Sequence, residues 1–156
     1  MATPIELEIR YLPKDTRERC EKALGIAKGE RTHRVFVYGT LIAGEHNAHW
    51  ASGARRVGAR AVGRIFDTGY GFPAFRPEGE GTVKGEMLTV DDEGLKRMDV
   101  LEGYPRLYRR EQITVATDRG GAAVAWVYIM NNLPKDVSVI ESGDWVAYRK
   151  SKDRRQ

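Results

Sequence analysis

"YRREQITVATDRGGAAVAWVYIM", residues 108–130, decides the fold class. Two runs rich in β-branched and aromatic residues flank "DRGG", whose glycines suit a tight turn, so the stretch predicts a β-hairpin. A hairpin pairs consecutive strands antiparallel, whereas a βαβ array separates them with helices; the predicted class is therefore α+β. Just upstream, "DDEGLKRMDVLEG" (91–103) has the period of a helix. Leu95, Met98 and Leu101 make one apolar stripe, Asp91 or Asp92 starts the helix and Gly103 stops it. Glu93, Lys96, Arg97 and Asp99 are expected to point away from that stripe. Glu102 is not: it follows Met98 by four residues and Leu95 by seven, which puts a carboxylate on the apolar side of the last turn.

Further out, "RVFVYGTL" (34–41) reads as a buried strand running into a glycine turn, and "GARAVGRIFDTG" (58–69) and "GTVKGEMLTV" (81–90) are strand-like. "SGDWVAYRK" (142–150) predicts a short closing helix. Many short strands with a glycine-rich rhythm favour a barrel-like closed sheet. At the front, "PIELEIRYL" (4–12) alternates as a strand does, and "KDTRERCEKALGIAKG" (14–29) predicts a helix capped by Asp15 or Thr16 and stopped by Gly29. The expected organisation is a strand–helix extension over 1–31, a main domain over 32–148 and a basic tail over 149–156 that is free to be disordered. The strand at 4–12 needs a pairing partner, which leaves a homodimer as one option.

Composition narrows the function. The chain has 156 residues, 41% hydrophobic and 31% charged, which fits one soluble domain with a real core. It shows no apolar run long enough to span a bilayer and no signal peptide, so no membrane partner is expected and the cytoplasm is the simplest location. The lone Cys20 excludes an internal disulfide. A net charge of +4 and a pI of about 9.3 raise the question of nucleic acid. The excess, however, lies in "YRKSKDRRQ" (148–156) and in Arg55, Arg56, Arg60 and Arg64, with no RNA- or DNA-binding motif beside it. A solvated basic surface is the preferred reading.

Of the groups able to do chemistry, His46 and His49 in "EHNAHW" (45–50) stand three apart beside Glu45, yet no third metal ligand can be assigned; a polar surface turn is favoured and no metal is expected. There is no G-x-S-x-G elbow, P-loop or G-x-G-x-x-G run, so covalent and nucleotide-driven mechanisms lack support. Two features remain. The turn in "VFVYGTL" (35–41) can leave backbone N–H groups facing outward, an arrangement that binds carboxylates or an oxyanion, although strand–glycine turns are also common without any such role. Glu102 is either a flexible side chain reaching water from the edge of its stripe, or a carboxylate in a low-dielectric pocket with a pKa raised into the acid/base range.

Together the motifs resemble the gamma-glutamylcyclotransferase-like family. "VYGTL", "GFPAF…GTVKGEML", "MDVLEGYPRLYRR", "AWVYIM" and "IESGDW" occur in the family's order, over about residues 34–148; residues 1–31 have no counterpart in that pattern. The resemblance implies a small mixed β-barrel flanked by helices, in which the Tyr-Gly-Thr-Leu turn and the helix-borne Glu line one cavity. It implies cyclisation of a γ-glutamyl-amine or γ-glutamyl-peptide to 5-oxoproline with release of the amine, without a cofactor. By position Glu102 would be the acid/base residue, Tyr38, Gly39, Thr40 and Leu41 the turn that holds the glutamyl group, and Tyr108 and Tyr128 pocket walls. Glu86 is the rival carboxylate, read as a structural partner, and Asp99 is expected to face outward or cap a neighbouring backbone group. Two readings from other classes stand beside this one: a non-catalytic small-ligand-binding protein on the same fold, and a basic interaction protein acting through its tail. The leaving amine is not specified by the sequence.

Overall fold

The computed structural model describes residues 13–23 and 32–153. The chain divides into two units, residues 1–31 and 32–156. In the first, helix α1 spans Lys14–Ala23. It begins ahead of the expected Asp15 or Thr16 cap, and Asp15 instead sits in the first turn, where a carboxylate complements the exposed amide dipoles. The predicted strand at 4–12, the dimer option tied to it, and the helix end at 24–29 fall outside the described residues.

The second unit is built on β1 (His33–Val37), β2 (Arg55–Val62), β5 (Thr82–Val90), β6 (Tyr108–Thr117) and β7 (Ala122–Met130), which close into a barrel in the order β1-β5-β2-β6-β7. All neighbours are antiparallel except β7 and β1, whose parallel pairing sets Val35 against Trp126 and Phe36 against Val127. The barrel is therefore mixed, and the hairpin read at 108–130 is its β6–β7 pair. Strand side chains alternate between faces, and on β1 and β5 both faces are covered. One face of every barrel strand supplies the inner cluster, with Phe36, Ala59, Ala61, Val83, Val115 and Val127 among its buried members. The opposite faces of β1 and β5 supply Val35, Val37, Leu88 and Val90 to a second cluster, against which helix α2 (Asp92–Glu102) lays Leu95 and Met98.

Three further strands differ from expectation. The stretch read as continuous at 58–69 breaks at Gly63 into β2 and β3 (Arg64–Asp67). β3 lies between β4 (Pro73–Arg76) and β8 (Ser138–Val139) in a small separate sheet, whose Ile65 and Phe75 close one end of the inner core. Helix α3 runs Trp145–Asp153, so the first five residues of the supposed basic tail are helical. The cause is local and tertiary together: Asp144 accepts the Ala147 amide at 3.1 Å, and Trp145 is buried in the inner cluster.

Helix α2 shows how short-range signals set an element. Asp91 is its N-cap and accepts the Gly94 amide at 2.7 Å, while Asp92 and Glu93 occupy the first turn. Replacing Asp91 by Ala is expected to cost about 1 kcal/mol of stability, read as a lowered denaturation midpoint at unchanged m-value. At the other end Gly103 takes φ 64°, and the Gly103 and Tyr104 amides turn back to the carbonyls of Val100 and Asp99. A side chain in that left-handed conformation would be strained, so the glycine fixes where the helix stops and where Glu102 emerges.

Candidate active site

With Leu95 and Met98 buried beneath α2, the next turn of the same face carries Leu101 and Glu102 to the wall of a cavity of about 400 Å³. The position on the stripe has the consequence that the sequence left open. Burial pushes the Glu102 carboxyl up from 4.5 to about 7, because little water or charge is available to stabilise its ionised form. Among the described residues no group hydrogen-bonds this carboxyl.

Opposite it, β1 ends at Val37 and the chain turns through Tyr38, Gly39, Thr40 and Leu41, all of which line the cavity. The turn is held by its carbonyls: Gly39 accepts the Ile42 amide at 3.1 Å and Thr40 accepts the Asn47 amide at 3.0 Å. The amides of Gly39, Thr40 and Leu41 donate to no acceptor among the described residues, so they are available to an anionic or carbonyl oxygen. Gly39 is required by close approach rather than by φ, since a Cβ there would come within 2.7 Å of the Pro73 ring.

Tyr38, Tyr108 and Tyr128 complete the wall. The Tyr38 hydroxyl donates to the Tyr128 carbonyl at 2.8 Å, tying the turn to β7. Burial raises all three phenols, and the nearby Glu102 charge raises them further; for Tyr128 the Asp99 hydrogen bond ranks between those two causes. All three are therefore neutral at physiological pH.

Asp99 departs from its expected outward orientation. It accepts the Tyr128 hydroxyl at 2.6 Å, and Arg110 Nε lies 3.1 Å from the same oxygen, an ion-pair contact outside hydrogen-bond geometry. The Arg110 guanidinium in turn stacks over the rings of Tyr104 and Trp126 at 4.5 and 4.9 Å. A cation held between two aromatic faces draws the carboxylate inward, which is why the helical wheel misplaces it. Glu86 is not on the cavity. It accepts the Ala43 amide at 2.8 Å and Arg56 Nη1 at 2.9 Å, and the same Arg56 nitrogen donates to the Leu41 carbonyl at 2.9 Å. This pair pins the loop after the turn, and it removes Arg56 from the solvated basic surface expected of it.

All seven residues singled out from sequence, Tyr38, Gly39, Thr40, Leu41, Glu102, Tyr108 and Tyr128, thus line one cavity. The sequence reading missed Tyr70, Phe72 and Leu107 on its rim, and Asn47 and His46 in its wall. The sequence favours a polar surface turn for His46 over a metal site and does not point to the cavity; His49 Nδ1 contacts the His46 carbonyl at 3.1 Å. Among the described residues no three His, Cys, Asp or Glu side chains gather as a metal site requires, and no helix is long and apolar enough to cross a membrane.

Comparison with known proteins places this architecture. Residues 35–147 match the family model described as gamma-glutamyl cyclotransferase, AIG2-like, and the chain belongs to that family. It is 39% identical over 113 residues to CG2811 of Drosophila melanogaster, covering 65% of this chain and 71% of the relative. It is 35% identical over 123 residues to a Niallia circulans protein named gamma-L-glutamyl-butirosin B gamma-glutamyl cyclotransferase, covering 74% of this chain and 76% of that one. Among solved structures, PH0828 of Pyrococcus horikoshii superposes with a TM-score of 0.62 at 27% identity, over 78% of this chain and 97% of its own.

Proposed function

We propose that the protein is a cyclotransferase that converts a γ-glutamyl-amine or γ-glutamyl-peptide to 5-oxoproline and a free amine, with Glu102 as the single acid/base group. The observation that carries this reading is a carboxyl with no hydrogen-bond partner among the described residues, poised at about pH 7 in the wall of a cavity whose turn amides are likewise unpaired among those residues.

The chemistry needs little else. The substrate's α-ammonium gives a proton to the Glu102 carboxylate, and the freed amine attacks its own γ-carbonyl carbon. Negative charge then develops on the carbonyl oxygen, which the amides of the Tyr38–Leu41 turn are placed to receive. Glu102 returns its proton to the departing nitrogen as the carbon–nitrogen bond breaks. A second proton leaves the attacking nitrogen and ends on the released amine, so a lactam and an ammonium are formed and Glu102 is regenerated. A carboxyl near neutrality suits both halves of this transfer, and a substrate held curled in the cavity makes the attack intramolecular in geometry as well as in bonding. The lone cysteine fits a cytoplasmic setting for such an enzyme.

The test is 5-oxoproline release, followed by mass spectrometry, from a panel of γ-glutamyl amines and peptides. Product from at least one class is expected. A folded protein that releases none across the panel would leave the small-ligand-binding reading in its place.

A further inference from the structure

The two loops that wall the cavity share an anchor that is not part of it. One loop follows the Tyr-Gly-Thr-Leu turn and contains His46 and Asn47; the other joins β3 to β4 and contains Tyr70 and Phe72. No residue of α3 lines the cavity, yet three side chains in just over one turn of α3 grip both loops.

Arg149 grips the first. Its Nε and Nη2 donate to Glu45 Oε1 and Oε2, each at 2.8 Å, and the Glu45 side chain is only 5% exposed. A bidentate pair with one partner desolvated is geometrically exacting, unlike an exposed ion pair. Glu45 is followed by His46 and Asn47, and Asn47 Nδ2 donates to Thr40 Oγ1 at 3.0 Å, so the grip extends to the turn itself.

Tyr148 and Lys152 grip the second. The Tyr148 hydroxyl and Lys152 Nζ donate to Asp67 Oδ2 at 2.6 and 2.8 Å, and Asp67 Oδ1 accepts the Gly69 amide at 2.8 Å. Thr68 Oγ1 then donates to the Phe72 carbonyl at 2.7 Å and accepts the Tyr70 amide at 3.2 Å, which folds the rim segment back on itself. Asp67 is buried, and a buried carboxylate demands such partners.

We propose that α3 is a brace for the substrate cavity, with Arg149 and Lys152 as positioning residues: through Glu45 and Asp67 they hold the two loop walls at the spacing the ligand requires. The inference rests on the proposed cyclotransferase reading for its catalytic consequence, but not for its structural content. It also gives the basic C-terminal segment a task in ligand binding in place of simple solvation.

The test compares the wild type with Arg149→Met/Lys152→Met, with the conservative pair Arg149→Lys/Lys152→Arg, and with Lys150→Met, a neighbouring exposed cation that makes no ion pair among the described residues. Amide hydrogen exchange is expected to quicken selectively in segments 40–48 and 67–72 of the double Met variant. KM for a γ-glutamyl substrate is expected to rise about tenfold, with the midpoint of its pH–rate profile unmoved. The conservative pair should recover part of that loss, and Lys150→Met should behave as wild type. Exchange unchanged in both loops, or faster throughout the domain with KM within twofold of wild type, would overturn the brace. So would the same effect from Lys150→Met, which would reduce it to bulk charge. If the wild type turns over no γ-glutamyl compound, the proposed reaction fails, and the exchange measurement still decides the brace.

Discussion

Glu102→Gln is expected to lower kcat/KM for 5-oxoproline release by about 10²–10⁴-fold and, at the same time, to make the protein more stable in alkaline solution. Both effects have one origin. The swap keeps size and removes the titrating proton, so the pH profile should lose its ascending limb centred at about 7. For stability the sign follows from where each state holds the proton. Below pH 4.5 the carboxyl is protonated folded or unfolded; between 4.5 and about 7 only the folded state retains the proton; above that the folded protein must carry a poorly solvated charge. Stability of the wild type therefore falls as pH rises through that window, and the Gln variant does not share the fall. The gap, at about 1.4 kcal/mol per pH unit, caps the advantage near 3 kcal/mol, fully developed by pH 8. Urea titrations at pH 5 and pH 8 measure it. Equal stability of the two proteins at both pH values would mean that Glu102 is well solvated, and would remove the physical basis for its catalytic role. Retained activity with the expected stability gain would instead make Glu102 a buried carboxyl that does no proton transfer.

How far the sequence can be read depends on the range of the interaction that decides each feature. Helix α2 is bounded by signals within four residues of its ends, the Asp91 cap and Gly103, and Glu102 was legible because its own helix places it beside Met98. The β6–β7 hairpin is equally local. Asp99 was misread because its partners lie on other elements: Tyr128 on β7 and Arg110 on β6. Nothing in helical spacing announces them. The two-residue β8 exists only as a partner to β3, and no propensity signal can fall on so short a strand. The basic C-terminus read as solvated because its acids are far off in the chain, Glu45 and Asp67 standing 104 and 85 residues from Arg149 and Lys152. The rim residues Tyr70 and Phe72 carry no spacing signal of their own, and only the closing of β3 against β4 brings them to the cavity.

Gly85→Ala should do the most damage to the scaffold beneath the site. Gly85 lies in β5 at the point where the barrel wall meets the end of β1. A methyl group there would run into the Val37 carbonyl oxygen and stand 2.9 Å from the Phe36 ring. Replacing glycine by alanine gains about 0.4–1 kcal/mol where the backbone can accept it, by narrowing the unfolded ensemble. Here the group it meets is a backbone carbonyl that cannot swing aside, and Phe36 is wholly buried. Overpacking of this kind costs about 3 kcal/mol, so the clash exceeds the gain and the variant should be less stable. Its effect on function follows from the same contact. Val37 immediately precedes Tyr38, so relief of the clash must displace the strand end that sets the Tyr38–Leu41 turn opposite Glu102. Where Gly85→Ala still folds, a raised KM for the γ-glutamyl substrate is expected together with the lower urea midpoint. A variant as stable as wild type would show that β1 and β5 separate there without cost. A destabilised variant with unchanged KM would show that the turn is positioned by its own hydrogen bonds, through Thr40 and Asn47, and not by the strand that leads into it.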